Sequence, residues 1–229
     1  MLYEIFDHMH LCTDEAVREM LPLVSEQRRQ QALRYSHTFG RFCCLKSYLM
    51  LLELLSAVYP ELDTSKPEFG YTAQGKPFLL ARPDIHFSIS HTKNAILVAI
   101  SDAPIGVDIE AFRSPSAALI ARTMNATEQA AIAASAATAA SAATAASAAT
   151  AASAATPSGL LEPPGTREAL FSAIWTRKEA VLKLRGTGIE GDLKHVLSGS
   201  EAIFTRIFPR KSYAFSIAQQ TISPFEILH

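Results

Sequence analysis

Two stretches of the chain place side chains where they could do chemistry. Pro104-Ile105-Gly106-Val107-Asp108-Ile109-Glu110 alternates apolar and acidic residues. In an extended strand that alternation turns Asp108 and Glu110 to one face, about 7 Å apart at twice the rise per residue. Aspartate is a poor strand former, so two acids in so short a strand invite a reason. Such a pair can share a hard divalent cation, and Gly106 would leave room for a bulky ligand against the backbone. The second stretch, Phe171 to Gly188, carries Glu179 and Lys183 four residues apart, with Lys178 beside the acid. Phe171, Trp175, Glu179 and Lys183 recur every four residues, which lines them along one side of a helix. Taken alone, this spacing also describes a solvated Glu–Lys pair beside an apolar stripe. The strand carboxylates upstream shift the balance towards a shared acidic site.

The elements that must position these groups can be read from their boundaries. Pro163, Pro164 and Gly165 end whatever precedes the helix, Thr166 is set to cap it, and Glu168 sits in its first turn. Lys183 and Arg185 fall in the last turn, and Gly186 supplies the stop, which predicts a helix over 166–185. Ile85 to Ile100 reads as a hairpin turning at Thr92-Lys93-Asn94, with Phe87 and Ile89 alternating with Ser88 and Ser90 and with His91 at the end of its first strand. A weaker echo of that hairpin occurs in Ser212-Tyr213-Ala214-Phe215-Ser216-Ile217-Ala218. Ser25 to Tyr59 reads as one or two helices with Leu33, Leu45, Leu49, Leu52 and Leu55 as the apolar stripe. Residues 3–12 read as a first strand. His8, His10 and Cys12 would share one of its faces, a superficial likeness to a metal trio, but no fourth ligand follows at a usual spacing. From Ala133 to Thr156 the chain repeats Ala-Ala-Ser-Ala-Ala-Thr four times. Its polar residues wind around a 3.6-residue helix and leave no face to bury, so an exposed frayed helix or a linker is expected.

The expected fold class is therefore α+β. A first half, 1–104, and a second half, 105–229, each set a helix on a small antiparallel sheet, and the low-complexity segment 133–156 interrupts the second. With 229 residues, of which 48% are hydrophobic, the chain can bury a substantial core. A net charge of −1 gives no global field to recruit nucleic acid or an anionic membrane. The apolar run from Ser47 to Tyr59 is too short to cross a bilayer. The start Met1-Leu2-Tyr3-Glu4 lacks the pattern of a signal peptide, and three cysteines make no disulfide framework, so a reducing cytoplasm is the expected setting. No Walker loop, GxGxxG, nucleophile elbow or HExxH is present.

Gly-Val-Asp-Ile-Glu at 106–110, followed by Trp-Thr-Arg-Lys-Glu-Ala-Val-Leu-Lys at 175–183, resembles the signature pair of the surfactin-type 4′-phosphopantetheinyl transferases. Gly75-Lys76-Pro77 and Phe87-Ser88-Ile89-Ser90-His91 are similar to two further pieces of that family, in the same order. The four motifs span about half the chain, Gly75 to Gly188, and their combination is far more specific than any one of them.

The resemblance implies transfer of phosphopantetheine from coenzyme A to a serine of an acyl or peptidyl carrier protein, in a monomeric pseudo-dimer with its site between the halves. It implies magnesium, or manganese, held by Asp108, Glu110 and Glu179. It makes Glu179, Lys183 and Asp108 the catalytic set, with Glu179 taking the serine proton unless a metal-bound water does so. Lys76 would serve the adenine and 3′-phosphate end of coenzyme A. Ser90, His91, Lys178 and Lys183 would serve its diphosphate, and Arg28 and Arg41 would act as an anion clamp in a basic stretch that otherwise reads as a solvated face. Arg122, Arg177 and Arg185 are nominated for docking an acidic carrier. A non-catalytic coenzyme A or carrier-binding module, or another magnesium-dependent phosphoryl-transfer enzyme, would carry some of the same features.

Overall fold

The computed structural model describes residues 1–65, 67–135, 166–188 and 192–220. The repeat beyond Ser135 lies outside the described residues, and the expectation for it with it. The remainder is α+β, as the periodicities indicate. A first antiparallel sheet has the order β1-β5-β4, from β1 (Leu2–Phe6), β4 (His86–Thr92) and β5 (Ala95–Ser101). A second has the order β6-β8-β7, from β6 (Ile105–Ala111), β7 (Ala202–Phe208) and β8 (Tyr213–Gln219). In both sheets the first strand of the set pairs with the last, and a hairpin supplies the far edge. A two-stranded ribbon, β2 (Phe69–Tyr71) with β3 (Pro77–Leu79), carries the Gly75-Lys76-Pro77 turn.

The alternation of side chains sorts these sheets into layers. Ile96, Val98 and Ile100 of β5 face α3 (Thr38–Val58), whose Leu45, Met50, Leu51 and Leu55 are buried against them. The opposite face of β5, Ala95, Leu97 and Ala99, meets Val107, Ile109, Phe215 and Ile217 in a core between the two sheets. The outer face of the second sheet carries Ala218, which packs with Ala180, Val181, Leu182 and Leu184 of the long helix Arg167–Arg185. The order is helix, sheet, sheet, helix. Short helices α1 (Asp14–Met20) and α2 (Glu26–Leu33) cover α3, with Ser25 capping α2 by accepting from the Arg28 N–H. Helix α4 (Ala117–Thr123) and the described part of α5, 126–135, lead to the long helix, which is α6.

Hydroxyl groups join the sheets. β6 is an edge strand, and its backbone N–H groups at Val107, Ile109 and Ala111 donate to Ser88 Oγ at 3.0 Å, Ser90 Oγ at 3.3 Å and Thr92 Oγ1 at 3.1 Å. An unpaired edge would leave those donors buried and costly; the inner face of β4 satisfies them instead.

Three sequence expectations change. The first strand stops at Phe6 and the chain turns through a 3₁₀ segment, Met9–Leu11, so His8, His10 and Cys12 share no strand face. The strand gives way because Asp7 accepts from Lys211 and from the Tyr213 hydroxyl at 2.9 Å, which ties the chain to the second half. Leu33 is exposed rather than part of the apolar stripe, since α2 ends there and α3 alone spans the sheet. Gly106 makes no room for a ligand. A Cβ there would lie 2.1 Å from the Ala180 carbonyl oxygen and 2.3 Å from the Leu184 nitrogen, so the space is taken by the backbone of α6.

Candidate active site

Helix α6 forms where its caps place it. The Thr166 side chain accepts from the Ala169 N–H at 3.3 Å, and Gly186, at φ 69°, closes the far end by donating to the Leu182 carbonyl at 2.9 Å. Because α6 lies flat on Gly106, its residues 179 and 183 stand over the strand positions 108 and 110. Four groups thereby share one electrostatic neighbourhood: Asp108, Glu110, Glu179 and Lys183.

Asp108 is only 4% exposed. Its Oδ1 accepts from Lys183 Nζ at 2.7 Å and from Ser90 Oγ at 2.8 Å, and Lys183 Nζ also donates to Ser90 Oγ at 3.0 Å. Its Oδ2 is buried with no hydrogen-bond partner. A buried carboxylate oxygen without a donor is costly, so this acceptor is one that a cation would satisfy. Glu179, 9% exposed, has its pKa raised to about 7, first by burial and then by the charge of Asp108, with Lys183 opposing. Glu110 is also raised, by burial and by Asp108; Arg113, Lys183 and a hydrogen bond from Trp175 pull the other way. Trp175 stacks on Phe171 with centroids 6.1 Å apart, and Arg113 lies 5.8 Å over its ring. The tryptophan therefore both packs the helix and orients an acid.

Three carboxylates and no sulfur or imidazole make a hard-oxygen donor set, which fits magnesium or manganese. Among the described residues, however, no three His, Cys, Asp or Glu side chains stand in position to hold a metal ion. The ammonium of Lys183 stands on Asp108 instead.

Glu179 and Lys183 open onto a cavity of about 380 Å³, lined also by Gln74, Gly75, Lys76, Pro77, Phe87, Ser88, Ile89, Leu182, Gly186 and Gly188. Gly75, at φ 84°, makes the turn that a bulkier residue would resist, and Thr72 holds it by donating its N–H to the Lys76 carbonyl at 2.9 Å. The turn projects Lys76 across the cavity wall. Its Nζ donates to the carbonyls of Ile105 and Leu184, each at 3.1 Å, where a cation suits the C-terminal end of α6. Desolvation lowers the Lys76 pKa. His91 has an exposed edge and packs its ring against Phe39 at 6.0 Å; desolvation, then Lys183, lowers its pKa.

The structure thus sets Glu179, Lys183 and Lys76 on the cleft, with Asp108 and Ser90 joined to it through Lys183 and with Glu110 and His91 in the same electrostatic neighbourhood, and it sets other nominated residues elsewhere. Lys178 is 1% exposed, and its ammonium donates to the Thr123 carbonyl at 2.7 Å, Glu128 Oε2 at 2.6 Å and the Leu193 carbonyl at 2.9 Å. All three of its protons are used, so it has none left for a diphosphate. Arg28 lies 4.5 Å over the Tyr48 ring beside a separate small hollow, and Arg41 donates to the Tyr35 carbonyl at 2.9 Å; neither lines the cleft. Arg185 is held by Glu201 at 2.7 Å. Glu128 escaped the sequence reading although Asn125-Ala126-Thr127-Glu128 carries a legible signal. The Asn125 side chain accepts from the Glu128 N–H at 2.9 Å, and the Glu128 carboxylate accepts from the Asn125 N–H at 2.8 Å, a capping box opening α5.

Residues 104–197, which span β6, the acidic cluster and α6, match the 4′-phosphopantetheinyl transferase superfamily. That match agrees with the resemblance of its motifs. Among curated proteins, the chain is 30% identical over 127 residues to a 4′-phosphopantetheinyl transferase of Bacillus subtilis, covering 56% of each chain. It is 25% identical over 173 residues to one of Bacillus pumilus, covering 76% of this chain and 62% of the relative. It is 33% identical over 87 residues to one of Aneurinibacillus migulanus, covering 38% of this chain and 35% of the relative. The matches thus span little more than half the length of the first two relatives.

Proposed function

We propose that the protein is a 4′-phosphopantetheinyl transferase that moves phosphopantetheine from coenzyme A to a serine of an acyl or peptidyl carrier protein, with magnesium held by Asp108, Glu110 and Glu179 once their side chains draw together from the positions they hold here. The observation that carries this reading is the pairing of buried Asp108, with its unpartnered Oδ2, to Lys183 at the wall of a cleft that also holds Glu179 and Lys76. The shared sheet order and the seam between the sheets support an architecture of two related halves, a pseudo-dimer with the site at its junction. No helix among the described residues is long and apolar enough to cross a membrane.

When bound, the metal would neutralise the diphosphate oxygens. The protein's own groups account for the remaining steps. Lys76 lines the cleft and would serve an anionic end of coenzyme A, with His91 near Lys183 as a further donor, and Lys183 would bind the diphosphate. The carrier serine hydroxyl attacks the β-phosphorus. The bond from that phosphorus to the bridging oxygen breaks, a serine phosphodiester forms, and 3′,5′-adenosine diphosphate leaves with the electron pair. The serine proton goes to the Glu179 carboxylate. A positioned base is worth about 10²–10⁴-fold; in the metal-free protein burial and the charge of Asp108 raise the pKa of Glu179 to about 7, and a bound cation would lower it.

The test is mass spectrometry of apo carrier proteins incubated with the protein, coenzyme A and magnesium. A carrier gaining one phosphopantetheine mass, abolished by Glu179→Gln, is the expected result. Coenzyme A binding without any modification across a panel of carriers would refute catalysis and favour a binding module.

A further inference from the structure

The same contact that completes the site also closes it. Lys183 Nζ lies 2.7 Å from Asp108 Oδ1 and 3.0 Å from Ser90 Oγ, and Ser90 donates to the same Oδ1 at 2.8 Å. One oxygen of the buried carboxylate is thus saturated, while the other has no partner. A cation entering at Oδ2 meets the ammonium across a single carboxylate, with little water between them to screen the repulsion. Lys183 is free to leave, because its side chain is 34% exposed and its neighbours in α6 stay anchored on Gly106. Asp108 is not free to follow: it sits on β6, whose N–H groups are held by the hydroxyls of β4.

We propose that Lys183 is the resident counter-ion of the acidic site, competing with the divalent cation for Asp108, and that the substrate's diphosphate relieves the competition by drawing the ammonium away. The inference rests on the metal reading above and adds the order of events to it. The free protein holds its metal weakly, and metal and diphosphate bind with positive coupling through one lysine. By linkage, whatever the diphosphate does for the metal the metal does equally for the diphosphate.

The experiment follows binding of Mn²⁺ to the full chain by electron paramagnetic resonance, with and without coenzyme A. It uses wild type, Lys183→Gln, Lys183→Met and Asp108→Asn, with circular dichroism to verify folding. Gln keeps an N–H donor for Asp108 while removing the charge, so it decides the matter if Met does not fold. Removing the charge is expected to tighten Mn²⁺ binding at least about tenfold in the absence of coenzyme A. Coenzyme A should then tighten binding more in wild type than in either Lys183 variant. Equal Mn²⁺ affinity in wild type and Lys183→Gln overturns the competition while leaving the metal site in place. Retention of binding in Asp108→Asn overturns it by locating the ion elsewhere. Absence of Mn²⁺ binding in every form, with or without coenzyme A, overturns both this inference and the metal reading.

Discussion

Replacing Gly106 by alanine tests the arrangement at its tightest point. The added methyl carbon would meet the Ala180 carbonyl oxygen at 2.1 Å, the Leu184 nitrogen at 2.3 Å and the Leu184 Cα at 2.8 Å. All three are backbone atoms of one helix, so no side chain can swing aside to relieve them. A carbon–oxygen contact needs about 3.3–3.6 Å, and α6 must therefore lift from β6 by more than about 1 Å. Overpacking costs about 1–3 kcal/mol and more where backbone must move; the upper end applies here, less the ~0.5–1 kcal/mol that alanine gains over glycine in a strand. For a chain of this size, each kcal/mol lowers Tm by about 2–4 °C, so a loss of several degrees is expected.

Function should suffer more than stability in this variant. Glu179 and Lys183 ride on α6 while Asp108 and Ser90 do not, so the lift opens the 2.7 Å ion pair and displaces the proposed base. A misplacement of about 1 Å can cost about 10²-fold in rate. The assay pairs thermal denaturation with carrier modification by mass spectrometry, reading kcat separately from the coenzyme A KM. A variant that keeps both Tm and kcat near wild-type values would refute the claim that close approach of α6 to β6 builds the site.

Three further outcomes are expected. Lys178→Met leaves Glu128 half-buried without its cation and should cost about 3–5 kcal/mol, whereas the double variant Lys178→Met/Glu128→Gln should recover much of the loss; additive denaturation energies would rule out the pair as the cause. Lys76→Met strips the donor from the Ile105 and Leu184 carbonyls and should cost about 1–3 kcal/mol, so an unchanged Tm would sink the bridging role. In metal-free protein, Glu179 is held at a pKa of about 7 against an ordinary 4.5, so the folded state binds its proton more tightly. Its stabilising contribution is complete below the ordinary value and is lost as the pH rises through about 7, an effect of about 3 kcal/mol at 1.36 kcal/mol per unit. Glu179→Gln should flatten that part of the pH–stability profile and be the more stable form at alkaline pH; parallel profiles for the two proteins would contradict it.

Much of the fold and of the acidic site was legible because local rules govern those parts. Thr166, Glu168, Lys183 and Gly186 mark both ends of α6, and the alternation from Gly106 to Glu110 separates core from acid correctly. What the sequence could not convey was which partner each polar group meets. Lys178 and Lys183 are both lysines flanking the same acid region, yet a rotation of about 100° per residue around the helix sends one into a nest of carbonyls and the other to Asp108. Ser90 was nominated for the diphosphate; what the strand pattern does not convey is that its hydroxyl, like that of Ser88, accepts from an edge N–H of β6, a pairing between residues 19 apart. Gly106 looked like space for a ligand because a glycine records that something comes close without saying what. The arginines of α2 and α3 misled for the opposite reason: a basic stretch has no period that ties it to a distant cleft.

The three lysines show how the fold assigns one residue type to different work. Lys178 is wholly enclosed, and its three acceptors hold α6 to the start of α5 and to the loop at Leu193. Lys76 spends two protons on carbonyls and keeps one side towards the cleft, so it joins the Gly75 turn to the end of α6 while still facing an incoming anion. Lys183 alone of the three is bound to a carboxylate whose other oxygen is buried without a partner, and it is partly open to solvent. Mobility therefore rises along this series while the hold of the backbone falls. A ligand that rearranges one ammonium group without unfolding its surroundings can act only on the last, because moving either of the others would strip buried carbonyls of their donors. Lys178 and Lys76 accordingly hold α6 through buried acceptors, and α6 in turn carries Glu179 and Lys183 over Asp108.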